Sequence, residues 1–225
     1  MPKAAWRNSS ASVRCSYFDV SELDDPALMA RVIAELPWPE RLDRAGRLRF
    51  ATDRRLCLGA GWLAAHMLGD AGASDLTLGY GAHGKPYLVN HPSIHFNLSH
   101  SGTLAACAVA DMPVGIDVET VRDHGEAVAR YCCQPKELDW LRQAPDRAWS
   151  FTRLWVRKES YIKLTGDGLS REPRSFSVLP GETPKDDTFF IELPISDALI
   201  DTLICVCTHG RSEVRLTRWS SREAR

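Results

Sequence analysis

Several features that would place this sequence in a specialised class of protein are absent. No apolar run reaches the ~18 residues that a membrane-spanning helix needs, and the polar segment from Met1 to Ser12 lacks the apolar core of a signal peptide. Neither sign of charge is in excess, because 28 Lys and Arg stand against 29 Asp and Glu, for a formal net charge of −1. We therefore expect a cytoplasmic globular protein with no membrane segment and no overall nucleic-acid-binding surface, although a local basic patch is compatible with this balance.

The seven cysteines lack the spacing of a metal site or a redox motif. Cys132 and Cys133 are adjacent, and a single residue separates Cys205 from Cys207, so no C-x-x-C pair is formed by either group. Most of the cysteines have apolar neighbours in the sequence. They are therefore interpreted as free thiols of a protein in a reducing compartment.

A glycine-rich stretch imitates two nucleotide-binding motifs. The glycines from Gly79 to Gly84 fit the dinucleotide-binding pattern, and with Lys85 they nearly fit a P-loop. Both motifs open a helix whose amides hold phosphate, yet Pro86 stands where a P-loop has a hydroxyl and offers no N–H. The apolar residues after it are typical of a strand. The glycines are therefore predicted to form a flexible turn.

Two histidines four residues apart, His91 and His95, would suggest a zinc site if they lay on a helix. Pro92 and the alternation of apolar and polar residues from Ile94 onwards predict a strand instead. Zinc therefore remains only a minor alternative.

The 225 residues, 44 % hydrophobic and 25 % charged, predict one or two globular domains. Helical spacing and strand alternation occur in an irregular order throughout, which favours an α+β fold over strict βαβ alternation. A boundary near residues 110–113 predicts an N-terminal half over 1–111 and a C-terminal half over 112–225, with no sequence repeat between them. Among the local elements, we expect a helix capped by Thr52 and ended by Gly69, and a strand at Ser175–Leu179.

An alternating strand at Val114–Glu119 places two carboxylates on one face. Asp117 and Glu119 are two residues apart, so their side chains start ~6.5–7 Å apart and can share one hard cation. The alternative is a half-buried strand with a solvated acidic face. The strand pattern alone leaves both interpretations open.

A long helix from about Asp146 to Thr165 carries a second charged group. Lys158 falls in the middle of its apolar arc, Glu159 lies at the border and Lys163 follows one turn later. Two ammonium groups and a carboxylate beside a buried stripe suit a metal-bound phosphate. The alternatives are an ordinary pair of Glu159 with Lys163, and a Lys158 stem that lies on apolar surface while its ammonium reaches water.

Two further segments admit a functional and a structural interpretation. The strand at Ile94–Leu98 runs into a polar turn at Ser99, His100 and Gly102, where the chain must bend near Ser99 or bury the imidazole of His100. This turn can bind a ligand or only its own backbone. The segment 41–55 has six arginines, which suit an anionic ligand such as phosphate or form a solvated helix face.

Together these segments resemble the surfactin-type 4′-phosphopantetheinyl transferases over roughly residues 41–179. The matching motifs follow the order and approximate spacing of that family: Gly84-Lys85-Pro86, Phe96-Asn-Leu-Ser99-His100-Ser-Gly102, Gly115-Ile-Asp117-Val-Glu119 and Trp155-Val-Arg-Lys158-Glu159-Ser-Tyr-Ile-Lys163. The resemblance implies a pseudo-dimer of two similar α+β halves with the active site at their seam. It also implies a transfer of the 4′-phosphopantetheine group from coenzyme A to a serine of an apo acyl or peptidyl carrier protein, with release of 3′,5′-ADP.

The resemblance also assigns expected roles to particular residues. Mg²⁺ is expected on Asp117, Glu119 and Glu159, and Glu159 is also the expected base for the serine proton. With Glu159, we expect Lys163 and His100 to take part in catalysis. Coenzyme A is expected to contact a turn at its adenine, formed by Gly84, Lys85 and Pro86. Its phosphates are expected to contact Ser99, His100, Lys158, Lys163 and, for the 3′-phosphate, Arg55. The resemblance gives no firm role to Arg41, Arg44 and Arg47.

Two other classes of function stay open at this level. One is a module that binds coenzyme A or a carrier protein without catalysis, although such a module needs no proton acceptor. The other is a different Mg²⁺-dependent transferase that acts on a phosphorylated small molecule. A self-contained pseudo-dimer is expected to be a monomer, and the identity of its carrier is not encoded in any of these motifs.

Overall fold

The computed structural model describes residues 12–196 and 201–220 and has an α+β fold, as predicted. The first half contains β1 (Ser12–Asp19), α1 (Pro26–Glu35), α2 (Pro39–Arg47), α3 (Ala51–Asp70), β2 (Leu78–Tyr80), β3 (Pro86–Leu88), β4 (His95–Ser101) and β5 (Leu104–Ala110). The second contains β6 (Val114–Thr120), α4 (Gly125–Cys132), α5 (Pro135–Gln143), α6 (Arg147–Thr165), β7 (Thr188–Ser196), β8 (Asp201–His209) and β9 (Glu213–Arg218). Within the described residues, no helix combines the length and apolarity needed to cross a membrane.

Two larger sheets form the framework, one antiparallel and one mixed, and the last strand departs from the expected division of the chain. The three-stranded sheet has the order β6-β8-β7, and the four-stranded sheet has the order β4-β5-β1-β9. Strand β9 pairs in parallel with β1, so the C-terminal segment returns to the sheet of the N-terminal half. Trp219, just after β9, packs edge-on against Trp62 of α3. The predicted C-terminal half, 112–225, therefore loses its last strand to the other half, because burial of Trp219 and pairing with β1 stabilise it there.

Each sheet has one long helix on its outer face. Helix α3 packs on the four-stranded sheet through Trp62 and Leu63, which belong to the same buried cluster as Phe18 and Phe96. The inner faces of the two sheets meet in a further cluster of small and β-branched side chains from β1, β5, β6 and β8. Helix α6 packs closely on β6 at Gly115. A Cβ at this glycine would lie 2.5 Å from the backbone nitrogen of Leu164 and closer still to the carbonyl of Ser160.

Local expectations for three segments are corrected. Helix α3 begins at Ala51 without a side-chain cap, because the backbone is already helical there and Thr52 lies inside the first turn. Strand β4 runs straight through Ser99 to Ser101, with no bend. Residues 175–179 form no strand, because their backbone groups bond to side chains: Glu137 accepts from the Val178 N–H, and Lys158 donates to the Phe176 carbonyl.

The glycine-rich stretch is a turn, as predicted. It connects the antiparallel strands β2 and β3, and Gly84 has a φ of +80°, which favours glycine. Pro86 begins β3 rather than a helix. Nearby, the ring of His91 accepts hydrogen bonds from the backbone N–H groups of Ser74 and Asp75. His91 therefore has a structural role in holding this loop. All seven cysteines are free and buried, as predicted.

The two halves are joined along β4 and β6 by side chains rather than by a backbone ladder. Alternate residues of β4 accept hydrogen bonds from alternate N–H groups of β6. The acceptors are Asn97 Oδ1, Ser99 Oγ and Ser101 Oγ, and the donors are Ile116, Val118 and Thr120, at 3.0, 3.2 and 3.3 Å respectively. This junction, which we call the β4–β6 seam, brings the polar end of β4 beside the acidic face of β6.

Candidate active site

A cleft with two adjoining cavities opens at the β4–β6 seam. The first, about 460 Å³, is the arginine cavity, and its polar lining includes Arg41, Arg44, His100, Asp117, Glu159 and Lys163. The second, about 570 Å³, is the hairpin cavity, between the β2–β3 turn and the segment after α6. Trp155, Glu159 and Lys163 line both cavities. One helix, α6, therefore supplies the wall that the two cavities share.

Carboxylates form the acidic side of the cleft. Asp117 is buried, and its Oδ1 accepts hydrogen bonds from Ser99 Oγ at 2.7 Å and Lys163 Nζ at 2.7 Å. Its Oδ2 is also buried and has no hydrogen-bond partner among the described residues. Glu119, on the same face of β6, accepts from Ser101 Oγ at 2.6 Å. The strand alternation thus places both carboxylates at the cleft, as the sequence predicts.

Glu159 completes this acidic group from α6. Burial raises its pKa, and the negative charges of Asp117 and Glu119 raise it further, while Lys163 opposes them. Lys163 pairs with Asp117 at 2.7 Å, so the ordinary i, i+4 pair with Glu159 is not what holds it. A carboxyl group whose pKa is raised by its neighbours can accept a proton near neutral pH.

The acidic group fits a hard cation by the chemistry of its donors. All three side chains offer oxygen, and the unpartnered Oδ2 of Asp117 is an acceptor whose burial is costly without a partner. In residues 12–196 and 201–220, no three His, Cys, Asp or Glu side chains are already gathered tightly enough to hold a metal. Lys163 and Ser99 pair with Oδ1 of Asp117 and Ser101 pairs with Glu119, which leaves Asp117 Oδ2 without a partner among the described residues.

Cationic groups from α2 also line the arginine cavity. Arg41 and Arg44 lie one turn apart on α2, and Arg41 is fixed by a hydrogen bond from Nη1 to the Cys57 carbonyl at 2.9 Å. The side chain of His100 is exposed at the end of the apolar face of β4. Partial burial of the ring lowers its pKa, and so do the positive charges of Lys163 and Arg44, which favours the neutral imidazole. Arg41 and Arg44 thus supply the fixed positive charge on this part of the cavity wall.

A cleft lined by both cations and carboxylates suits an anionic substrate. The sequence as a whole is similar to those of known proteins. A family model described as the 4′-phosphopantetheinyl transferase superfamily matches residues 113–202. The 4′-phosphopantetheinyl transferase HetI of Nostoc sp. is 34 % identical over 178 residues, which cover 74 % of this chain and 75 % of the relative. The chain belongs to the 4′-phosphopantetheinyl transferase superfamily.

Other members of the superfamily extend the comparison. The transferase psf-1 of Bacillus pumilus is 36 % identical over 164 residues, 71 % of this chain and 69 % of the relative. The transferase Sfp of Bacillus subtilis strain 168 is 38 % identical over 125 residues, and the alignment spans 54 % of that relative. The chain therefore spans about half the length of this B. subtilis relative. The resemblance to surfactin-type transferases noted in the sequence is confirmed.

In this superfamily member, Arg55 lies away from the cleft in which it is expected to bind the 3′-phosphate. Arg55 forms an ion pair with Asp24 at 2.7 Å and borders neither cavity. The α3 residues that do line the arginine cavity, Asp53, Leu56, Cys57 and Ala60, follow helical spacing, and Arg55 points away from that face. Arg41 and Arg44, which the motifs left without a role, occupy the cleft instead.

Lys158 is also placed differently from the expectation that it contacts phosphate. Its side chain is 0 % exposed and forms an ion pair with the equally buried Glu137 at 2.9 Å. Its Nζ also donates to the carbonyls of Pro173 at 2.9 Å and Phe176 at 2.6 Å, which accounts for its donors. The apolar arc predicted this burial, but Lys158 holds the segment after α6 rather than a ligand. Glu137 carried no sequence signal beyond its place at the start of α5.

The β2–β3 turn brings Gly84 and Lys85 to the hairpin cavity. Lys85 is anchored in the other half, because its Nζ donates to the carbonyls of Val114, Lys163 and Leu164 at 3.1, 2.6 and 3.1 Å. Burial lowers the pKa of Lys85 to about 8. The ammonium therefore fastens the turn to the end of α6, and the backbone of the turn is what faces the cavity. Pro86 follows as the first residue of β3.

Proposed function

We propose that this chain transfers the 4′-phosphopantetheine group of coenzyme A to a serine hydroxyl of an apo acyl or peptidyl carrier protein. The presence of Arg41 and Arg44 in the same cavity as Asp117, Glu119 and Glu159 is the observation that supports this proposal. Coenzyme A carries a terminal phosphate and a pyrophosphate, so it needs cations at two separate points. Membership of the superfamily supports phosphopantetheinyl transfer as the class of reaction.

The reaction balances with the groups available. The serine oxygen forms a bond to the β-phosphorus of the pyrophosphate, and the bond from that phosphorus to the bridging oxygen breaks. The product 3′,5′-ADP leaves with the bonding electrons, and Glu159 accepts the serine proton. Such a transfer depends mainly on positioning and charge neutralisation, which Lys163 and the neutral His100 can supply as donors to the phosphate oxygens. Ser99 donates a hydrogen bond to Asp117 and so helps to hold that carboxylate in place.

Asp117, Glu119 and Glu159 are the residues that would hold Mg²⁺. When bound, Mg²⁺ supplies neutralisation of the pyrophosphate charge. The residues that keep this site in place are on the β4–β6 seam and on α6. The turn at Gly84, Lys85 and Pro86 is proposed to pack against adenine through its backbone, since the Lys85 ammonium is already used.

The function is tested by incubating the protein with coenzyme A, Mg²⁺ and a panel of apo carrier proteins, followed by intact-mass analysis. We expect at least one carrier to gain one phosphopantetheine group, and chelation of divalent cations to stop this gain. Binding of coenzyme A without transfer to any carrier would instead indicate the non-catalytic module. Transfer to a phosphorylated small molecule alone would indicate the third class of function.

Arg44 provides a prediction about the terminal phosphate. Arg44→Ala is expected to weaken coenzyme A binding by roughly tenfold or more, because a charge-assisted hydrogen bond is lost. The loss should be much smaller for dephospho-coenzyme A, and calorimetric titration of both ligands measures it.

Two matched controls separate this effect from a general loss of positive charge. Arg47→Ala removes an exposed arginine from the same helix, and Arg55→Ala removes the arginine paired with Asp24. Both should bind coenzyme A like the parent chain. A loss with Arg55→Ala as large as that with Arg44→Ala would contradict this assignment.

The partners and compartment follow from the same chemistry. We propose a carrier protein and coenzyme A as partners, and no nucleic acid, because the chain has no excess of positive charge and a formal net charge of −1. The proposed compartment is the cytoplasm, where seven buried free thiols stay reduced. The proposed oligomeric state is a monomer, since one chain contributes every residue of the cleft.

A further inference from the structure

The hydroxyl of Ser101 makes two directed hydrogen bonds across the β4–β6 seam. It accepts the N–H of Thr120 at 3.3 Å and donates to Glu119 Oε1 at 2.6 Å. A serine hydroxyl has one proton, so its donation is committed to Glu119. Ser101 thus binds the backbone of β6 at Thr120 and orients the side chain of Glu119 on the same strand.

Ser99, two residues earlier on β4, makes an equivalent pair of hydrogen bonds, but its carboxylate partner has a further contact. Ser99 accepts the N–H of Val118 at 3.2 Å and donates to Asp117 Oδ1 at 2.7 Å. Asp117 is also held by Lys163, whereas the other contact of Glu119 is an ion pair with the exposed Arg122 at 3.6 Å. Glu119 is therefore the carboxylate whose orientation depends most on a single hydroxyl.

We propose that Ser101 is a positioning residue for the reaction, and that it acts by fixing the carboxylate of Glu119 towards Asp117 and Glu159. The inference rests on the proposed function. Asp117, Glu119 and Glu159 line the same cavity, so the direction of the Glu119 side chain decides whether its oxygens lie near the other two. A free Glu119 side chain would sample several rotamers and lose this convergence. Hydrogen-bonding partners of metal ligands typically contribute 10–100-fold to metal affinity or activity.

The test compares three variants of Ser101 in the full chain. Ser101→Ala removes the donor, Ser101→Cys keeps nearly the same volume with a weak donor, and Ser101→Thr keeps the hydroxyl. Ser101 also borders a separate cavity of about 400 Å³, which gives the extra methyl of threonine room. Ser93→Ala, at an exposed position before β4, is the matched control.

Binding of Mn²⁺, measured by the electron paramagnetic resonance of the free ion, is the first readout. We expect Ser101→Ala and Ser101→Cys to bind Mn²⁺ about 10–100-fold more weakly than the parent, and Ser101→Thr and Ser93→Ala to bind like the parent. In a Glu119→Ala background, Ser101→Ala should cause no further loss, because it acts through Glu119. Transfer to the carrier should fall in parallel, with kcat restored in Ser101→Thr.

Amide exchange of Thr120 separates positioning from a purely structural role. Ser101→Ala should speed this exchange, since the N–H loses its acceptor. Faster exchange with parental Mn²⁺ affinity would overturn the positioning role and leave Ser101 as a joint between the halves. An equal loss of affinity with and without Glu119 would overturn it too. If the parent chain binds no Mn²⁺, both the proposed metal site and this inference are wrong. If the parent binds Mn²⁺ and Ser101→Ala binds it equally well, only the role of Ser101 is wrong.

Discussion

Replacing Glu159 with Gln is expected to lower the rate of phosphopantetheinyl transfer by ~10²–10⁴-fold, the usual loss when a general base is removed. Glutamine keeps the shape and a neutral oxygen but cannot accept the serine proton. Coenzyme A should still bind, because Arg41, Arg44 and Lys163 remain in place. Single-turnover labelling of an apo carrier measures the chemical step without interference from product release.

The pH dependence of the same reaction gives a second expected result. Burial and the charges of Asp117 and Glu119 raise the pKa of Glu159, so a larger fraction is protonated near neutral pH than for an ordinary glutamate. A protonated carboxyl cannot act as the base. Transfer should therefore rise with pH as Glu159 loses its proton, and this rising limb should be lost in Glu159→Gln.

Glu172→Gln is the matched control for Glu159→Gln. Glu172 also lines the hairpin cavity, but its carboxylate bonds to Arg174 and it is not part of the acidic group. This variant should label its carrier at nearly the parental rate. A folded Glu159→Gln protein that binds coenzyme A and works within a few-fold of the parent would remove Glu159 from catalysis.

Gly115→Ala is expected to reduce the free energy of unfolding by more than about 3 kcal/mol, which exceeds most single substitutions. The added Cβ would meet the backbone of α6 at Ser160 and Leu164, and backbone cannot rotate aside as a side chain can. Helix α6 would have to move from β6, which also separates Glu159 from Asp117. Urea denaturation measures the change in stability, and carrier labelling measures the separation.

The control for this prediction is a glycine in open space. Gly46 lies in α2, and an added Cβ there meets no atom within 4 Å. Gly46→Ala should stabilise the chain by about 0.5–1 kcal/mol, since alanine loses less conformational entropy in a helix. Equal stability of the Gly115→Ala and parent proteins would mean that α6 does not rest on β6 as described.

Periodicity explains which parts of the site were predictable from the sequence. Strict alternation put Asp117 and Glu119 on one face of β6, because successive side chains of a strand point to opposite faces. Helical spacing put Lys158 within a buried arc and Glu159 at its edge. Asp146 caps α6 and Gly166 ends it with a φ of +76°, as local chemistry requires. These features depend on neighbours within a few residues.

Contacts between distant segments decided the rest. The sequence pointed to Arg55, but the packing of α2 on α3, with Arg41 against Gly61, brought Arg41 and Arg44 to the cleft. The sequence placed Lys158 near phosphate, but a buried Glu137 from another helix holds it. Strand β9 pairs with β1 of the N-terminal half, which is likewise a contact between segments that are distant in the sequence.

The sequence by itself determined the α+β class, the family and the face of β6 that carries Asp117 and Glu119. Only the tertiary structure decided which cations face the carboxylates and which serines orient them. The physical reason is that periodicity records only whether a side chain faces the core or solvent. The partner of a charge depends on how helices and sheets pack, and that packing is set by the whole buried surface rather than by any one motif.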